Sequence, residues 1–428
     1  MSIQGVANTQ NAPPLGLPLT FFLTGLAGLL GALVDLATHP GDLIGFLVGS
    51  GAMLAGTHFL TLGFVSMVMM GAMYQLVPVV LDSRLASVRL GFWHYGSYGL
   101  GVVLLILGMA GFIPRLMVVG GSLVIVGVTL FLLNMARTLR RARLWSLSGY
   151  FLVTSLTYLG AVVGFGWLLA FNFLHPVFVN LTPLMVHLAL GLGGWFTLTL
   201  VGVSYKLLPM FTLAHAEAKA GWVAFGSLNA AVLAAAAGAW FTPAALHVAG
   251  VLGVVGTLAY AFDVVGFLRS RRRRHVEPAI WLALAGPLAL LTLEGLALWA
   301  LGRPTLWPVV FFLFLLGWMG ASIVGYLQKI IPFLVWLHAF SRAMGRGKVP
   351  LMKDLFPERW GWQIAIAYAF GLFTAASGAA TGEELALVFG LVVQGLAIVR
   401  LAVAVAWILV RERNALRSAP RPAQPAHG

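Results

Sequence analysis

Ten histidines carry most of the ligand and proton chemistry available to this 428-residue chain. The absence of Cys removes disulfides, thiolate metal sites, iron–sulfur clusters and covalent c-type haem, leaving His, Met and carboxylates as ligands. His58 stands 20 residues before Pro78 and His187 stands 22 before Pro209, roughly 30 Å along a helix. An imidazole inside a spanning helix either ligates haem or copper or hydrogen-bonds to a neighbouring helix, and both readings stand for this pair. His39 and His175 lie in the stretches leading into the same two helices, so four histidines can gather at one end of the molecule. They are the candidate cofactor ligands, with His187 also a candidate metal ligand.

A second matched pair, His215 and His338, follows its respective proline by six residues. These are candidate metal ligands or, equally in keeping with their type, caps on helix C-terminal carbonyls. His94 is open to the same capping reading, and His247, His275 and His427 read as solvated. Tyr74, Tyr205, Lys206 and Lys329 recur just ahead of the prolines, and Asp35, Asp263 and Glu294 fall in or near apolar runs. Intramembrane carboxylates are candidates for a proton or polar pathway, while the lysines can instead snorkel to headgroups. The 14 Met scatter, and Met67, Met69, Met70 and Met73 read as packing residues.

The elements that must position these groups repeat. Gly71-x-x-Tyr74-Gln75-Leu76-Val77-Pro78 returns as Gly202-x-x-Tyr205-Lys206-Leu207-Leu208-Pro209 and as Gly325-x-x-Gln328-Lys329-Ile330-Ile331-Pro332. A fixed period of this length means three copies of one unit. The chain is 60% hydrophobic and 9% charged, with a mean hydropathy of +0.96, so lipid is the solvent for most of it. Apolar runs of about 20 residues predict helices near 17–37, 43–80, 90–111, 116–138, 147–173, 180–213, 222–241, 243–268, 278–301, 307–338, 360–380 and 384–410. The expected fold is an all-α polytopic membrane protein of about 12 spans. Its single membrane domain, 17–411, divides into four-helix repeats at about 17–138, 147–268 and 278–410. The X-Pro steps His39-Pro40, His175-Pro176 and Trp307-Pro308 precede equivalent long helices. Residues 1–16 lack the charged start of a cleaved signal peptide and read as a short tail. Residues 412–428, rich in Pro and Ala, read as a disordered one.

Of the 26 Lys and Arg, all but Arg115 and Arg303 fall on one side of this map. The positive-inside rule then puts both termini in the cytoplasm of a bacterial or archaeal inner membrane. It also turns the formal charge of +14 into topology and attraction to anionic lipid rather than a nucleic-acid footprint.

Twelve spans in three groups of four, inner termini, and a His in the outer half of helices 2 and 6 resemble subunit I of the haem–copper oxidase and nitric oxide reductase superfamily. The resemblance implies that His58 is an axial ligand of a low-spin haem and that His187 binds copper or non-haem iron. A cytochrome c or quinol would then be the electron donor, with respiratory-complex subunits or a second copy of the chain as partners. The sequence departs from the family at helix 10, where Phe312 or Val310 takes the place of an outer-half His. Helix 7 has no His-His pair, and Gly191 replaces the Tyr four residues after the helix 6 His. A binuclear centre reducing oxygen or nitric oxide is therefore not expected. A relative that kept the scaffold is, and the NnrS family, twelve-helix haem- and copper-containing membrane proteins linked to nitric oxide tolerance, is similar in size and plan. Three function classes follow: a b-type haem protein handling electrons or binding a small gas such as nitric oxide or oxygen, a transporter or copper-handling protein, and a non-catalytic scaffold subunit of a respiratory complex.

The charge map is testable because the chain has no native cysteine to interfere. A membrane-impermeant maleimide added to intact cells should label Arg303→Cys and should reach Arg272→Cys only after permeabilisation. Labelling of Arg272→Cys from outside would invert the topology.

Overall fold

A computed structural model describes residues 13–142, 145–242, 244–300, 303–340 and 351–418. Twelve helices among them are long and apolar enough to cross a bilayer: α1 Gly16–Thr38, α2 Gly51–Pro78, α3 Val88–Ala110, α4 Pro114–Leu139, α5 Leu147–Leu174, α6 Thr182–Thr212, α7 Gly221–Trp240, α8 Ala244–Arg269, α9 Pro278–Ala297, α10 Trp307–Ala339, α11 Glu358–Thr381 and α12 Glu384–Glu412. Helix is forced here, because only a segment that satisfies its own N–H and C=O groups can sit in hydrocarbon. The protein is an integral membrane protein with lipid around it.

Two boundaries differ from the sequence expectation. The span expected over 43–80 is broken: Pro40–Ile44 makes a single turn, Phe46 takes a left-handed φ of 48°, and α2 begins only where the Ser50 hydroxyl accepts from the Met53 amide at 3.1 Å. A side-chain oxygen at that position replaces the missing intrahelical partner. The final helix runs on through Ser418 instead of ending near 410. The segments 1–12, 341–350 and 419–428 lie outside the described residues, and with them most of the two expected tails and the basic residues Arg342, Arg346 and Lys348.

Tryptophans mark both faces. Trp93, Trp145, Trp222, Trp281 and Trp362 are exposed at or just before the starts of α3, α5, α7, α9 and α11, and Trp240 and Trp299 at the ends of α7 and α9. Indoles at both ends of spans sit at headgroup level.

Close packing is done by glycine. Helices α3 and α4 meet so tightly that a Cβ on Gly101 would fall 2.6 Å from the Val124 nitrogen, and one on Gly127 would fall 2.7 Å from the Tyr98 Cβ. The α11–α12 pair meets in the same way, a Cβ on Gly371 falling 2.6 Å from the Gly390 carbonyl oxygen. The central helices α2, α10 and α6 are, in that order, the most buried. A Cβ on Gly71 would lie 2.5 Å from Phe21 of α1, one on Gly202 2.5 Å from Phe151 of α5, and one on Gly325 2.6 Å from the Ala279 carbonyl of α9. Each motif glycine therefore seats a central helix on the first helix of its own group, which small residues permit in lipid.

Gly202→Leu should accordingly lower stability in detergent by about 1–3 kcal/mol through overpacking. Gly250→Leu, at a position with nothing within 4 Å of its Cβ, should leave the melting temperature near that of the parent. Equal losses in the two would remove Gly202 from the packing argument.

Candidate functional site

Each central helix loosens at one depth. The backbone turns π-helical over Phe59–Ser66 in α2, Ala189–Thr197 in α6 and Leu313–Ala321 in α10. Such turns cluster at functional positions, because they redirect the side chains on either side of them. His58 is the last residue before the α2 turn, and His187 lies two residues before the α6 turn.

Both imidazoles are held the same way. His58 Nδ1 is 2.7 Å from the Leu54 carbonyl of its own helix, and His187 Nδ1 is 3.0 Å from the Val162 carbonyl of α5. A carbonyl only accepts, so in each ring the proton sits on Nδ1 and the Nε2 lone pair is left for a ligand. Gly166 makes the second contact possible. It stands four residues after Val162, and a Cβ there would fall 3.0 Å from His187 Cε1, in the path of the ring. The rings are half-buried. The structure thus holds alike the two histidines that the repeat spacing singled out.

Below the histidines the central helices are tied by indole donors. Trp195 of α6 donates to the Ser66 hydroxyl of α2 at 3.0 Å, and Trp318 of α10 donates to the Thr197 hydroxyl of α6 at 3.4 Å. Trp195 and Trp318 both lie 14 residues before their prolines, and Ser66 and Thr197 both lie 12 before theirs. In the third place stand Phe64 and Gly320, which cannot make such a bond. Ser204 and Tyr326 share a further hydrogen bond between α6 and α10, 2.8 Å long.

The other sequence candidates separate into small structural units. The Tyr74 hydroxyl meets His94 Nδ1 at 2.9 Å, inside a shell formed by Phe21, Tyr98 and Phe131. Tyr205 donates to the buried Asp263 carboxylate at 3.1 Å, whose other oxygen accepts from the Ala220 amide at 3.0 Å and so caps α7. Lys329, nearly buried, pairs with Glu277 at 2.5 Å, which also holds Arg273. Lys206 is exposed. Glu294 accepts from Thr257 at 2.7 Å, and its second oxygen is buried without a partner.

His39 is exposed, with Nδ1 on the Asp35 carbonyl, and the exposed His175 ring packs on Phe171. His215 approaches the Ser270 carbonyl at 3.4 Å. His338 has both ring nitrogens within hydrogen-bond reach of carbonyls, those of Leu334 at 2.9 Å and Pro13 at 3.1 Å, which is capping geometry. Among the described residues no three His, Asp or Glu side chains come together to hold a metal ion.

Sequence reasoning assigned His94 a capping role and left Asn134, Glu277, Trp195 and Trp318 unmentioned. The tyrosine four residues before two of the three prolines was the available signal, since each of these hydroxyls finds a buried polar partner. No protein-family model matches the chain, and no curated protein matches it.

Asp263→Ala would strand both the Tyr205 hydroxyl and the Ala220 amide just ahead of α7, at a cost of about 1–3 kcal/mol. Asp263→Asn, which keeps an acceptor oxygen, should cost less. Thermal melting in detergent separates them, and identical losses would mean that the acceptor is not what Asp263 contributes.

Proposed function

We propose that the chain holds a b-type haem between α2 and α6 through His58 and His187, handling electrons or binding a small gas such as nitric oxide or oxygen. The observation that supports this is the matched preparation of the two rings: each Nδ1 is committed to a backbone carbonyl and each Nε2 is free to ligate. The donor set fits the group. Two neutral imidazoles suit haem iron, and the missing side chain of Gly166 provides the room that the His187 ring uses. Copper or non-haem iron held by three protein ligands does not fit, because no third His or carboxylate joins the pair among the described residues. When bound, the haem would supply one-electron chemistry and, where only one of the two imidazoles ligates, a place for a gas.

The chain's own part is to bind and orient. The Leu54 and Val162 carbonyls fix the tautomer and the ring plane. Leu60, Phe64, Val186 and Leu190 are buried around the two helices and keep water from them. His39 and His175 are the alternative opposing ligands. The threefold plan is the reason to place the protein beside subunit I of the haem–copper oxidases and nitric oxide reductases, with both termini cytoplasmic and a cytochrome c or quinol as donor. The exchange of the helix 10 ligand for Phe312 gives this chain a different ligand pairing from that family.

The purified protein, expressed with ample haem, should show a Soret band with a reduced-minus-oxidised difference spectrum of b type. His58→Ala and His187→Ala should each remove most of it while leaving the melting temperature within a few degrees. A band unchanged in both variants would end the ligand assignment. A colourless, folded parent would favour the transporter, copper-handling or scaffold classes, and metal analysis of the same sample would single out copper.

A further inference from the structure

We propose that the ends of α11 and α12 that carry Trp360 and Arg411 form a specific site for the phosphate headgroup of an anionic phospholipid. The argument starts from a misplaced charge. Arg400 lies in the body of α12, 16 residues after Glu384, among Leu396, Val399 and Val403, which are all exposed and in a bilayer face acyl chains. A guanidinium on a lipid-facing helix surface is costly unless its head reaches a polar partner. Arg400 reaches toward the headgroups: its guanidinium lies 4.2 Å over the Trp360 ring, and its Nε donates to Gln363 at 3.1 Å. Trp360 is the third residue of α11, at headgroup level.

A second cation completes the cluster. Arg411 lies 4.5 Å over Trp407 and donates one Nη1 bond to the Asp354 carbonyl. The two indoles pack edge to face at 5.0 Å, so the guanidiniums sit on adjoining aromatic platforms. Arg400, Trp407 and Arg411 fall on one helix stripe at spacings of 7 and 4. Among the described residues, neither guanidinium has a carboxylate within salt-bridge distance. Among the described residues only the Nε of the Arg400 guanidinium is hydrogen-bonded, and a planar fork held on an aromatic ring is the geometry that grips a phosphate. The site lies on the side of the molecule where most of the basic residues gather, which suits an anionic lipid of that leaflet.

The test uses the full chain reconstituted in phosphatidylcholine nanodiscs containing a minor share of phosphatidylglycerol, released gently into detergent and counted by native mass spectrometry. The parent should retain phosphatidylglycerol in preference to phosphatidylcholine. Arg400→Gln should retain about fivefold less, as removal of one interfacial cation implies, and Arg400→Gln with Arg411→Gln less again. Retention in Arg400→Gln equal to the parent would overturn the site. Inorganic phosphate protecting lipid-free protein against thermal unfolding as well as phosphatidylglycerol does would overturn the lipid assignment. Should Arg400→Gln lose its monodisperse profile, Trp360→Leu keeps both charges and removes one platform. It should then show the same reduced retention, and parental retention in it would equally reject the proposal.

Discussion

In hydrocarbon there is no water to take up a polar group left over by folding, and this constraint shapes the interior more than any apolar contact does. Apolar packing alone could not fix how α2, α6 and α10 rotate about their axes, because lipid is as good a neighbour for Leu and Val as another helix is. Directed bonds can. Trp195 on Ser66 and Trp318 on Thr197 each demand one rotation and one depth. All four of these residues lie within the π turns. Gly71, Gly202 and Gly325 then let each central helix come down on α1, α5 or α9.

The same rule organises the ends. In the first group the α4 side chains Asn134 and Thr138 accept from the backbone amides of Ser87 and Ala86, and so hold the start of α3. In the second, Asp263 and Ser270 at the end of α8 accept from Ala220 and Ala216 ahead of α7. In the third, Arg411 of α12 reaches the Asp354 carbonyl ahead of α11. The device is constant and the residue types are not. Satisfying exposed amides and carbonyls by a long-range side chain is a general need, and Asn, Asp and Arg meet it with different atoms.

This explains what could be read from the sequence. The spans and the three Gly-to-Pro motifs were legible, since both rest on composition and fixed spacing, and so was the equivalence of His58 and His187. The π turns left no mark, because the backbone chooses between 3.6 and wider turns by tertiary packing rather than by residue type. The break at Phe46 was hidden inside an apolar run that looked continuous from 43 to 80. His94 and Asp263 looked like isolated polar residues. Their partners, Tyr74 on α2 for one and Tyr205 on α6 for the other, lie on other helices, and no local pattern reports a contact 20 or 58 residues away.

The threefold plan also decides where an asymmetric function can sit. At the position 20 residues before the proline, α10 carries Phe312, fully buried, where α2 carries His58. In the bonded layer Phe64, also fully buried, stands where the other two central helices present an indole donor. At these two levels the interface of α10 with α2 therefore offers phenylalanine, while α2 and α6 carry His58 and His187 above and the Trp195–Ser66 bond below. Phenylalanine at these places makes the central interfaces unequal, and the one between α6 and α2 carries an indole-to-hydroxyl bond that the one between α10 and α2 lacks.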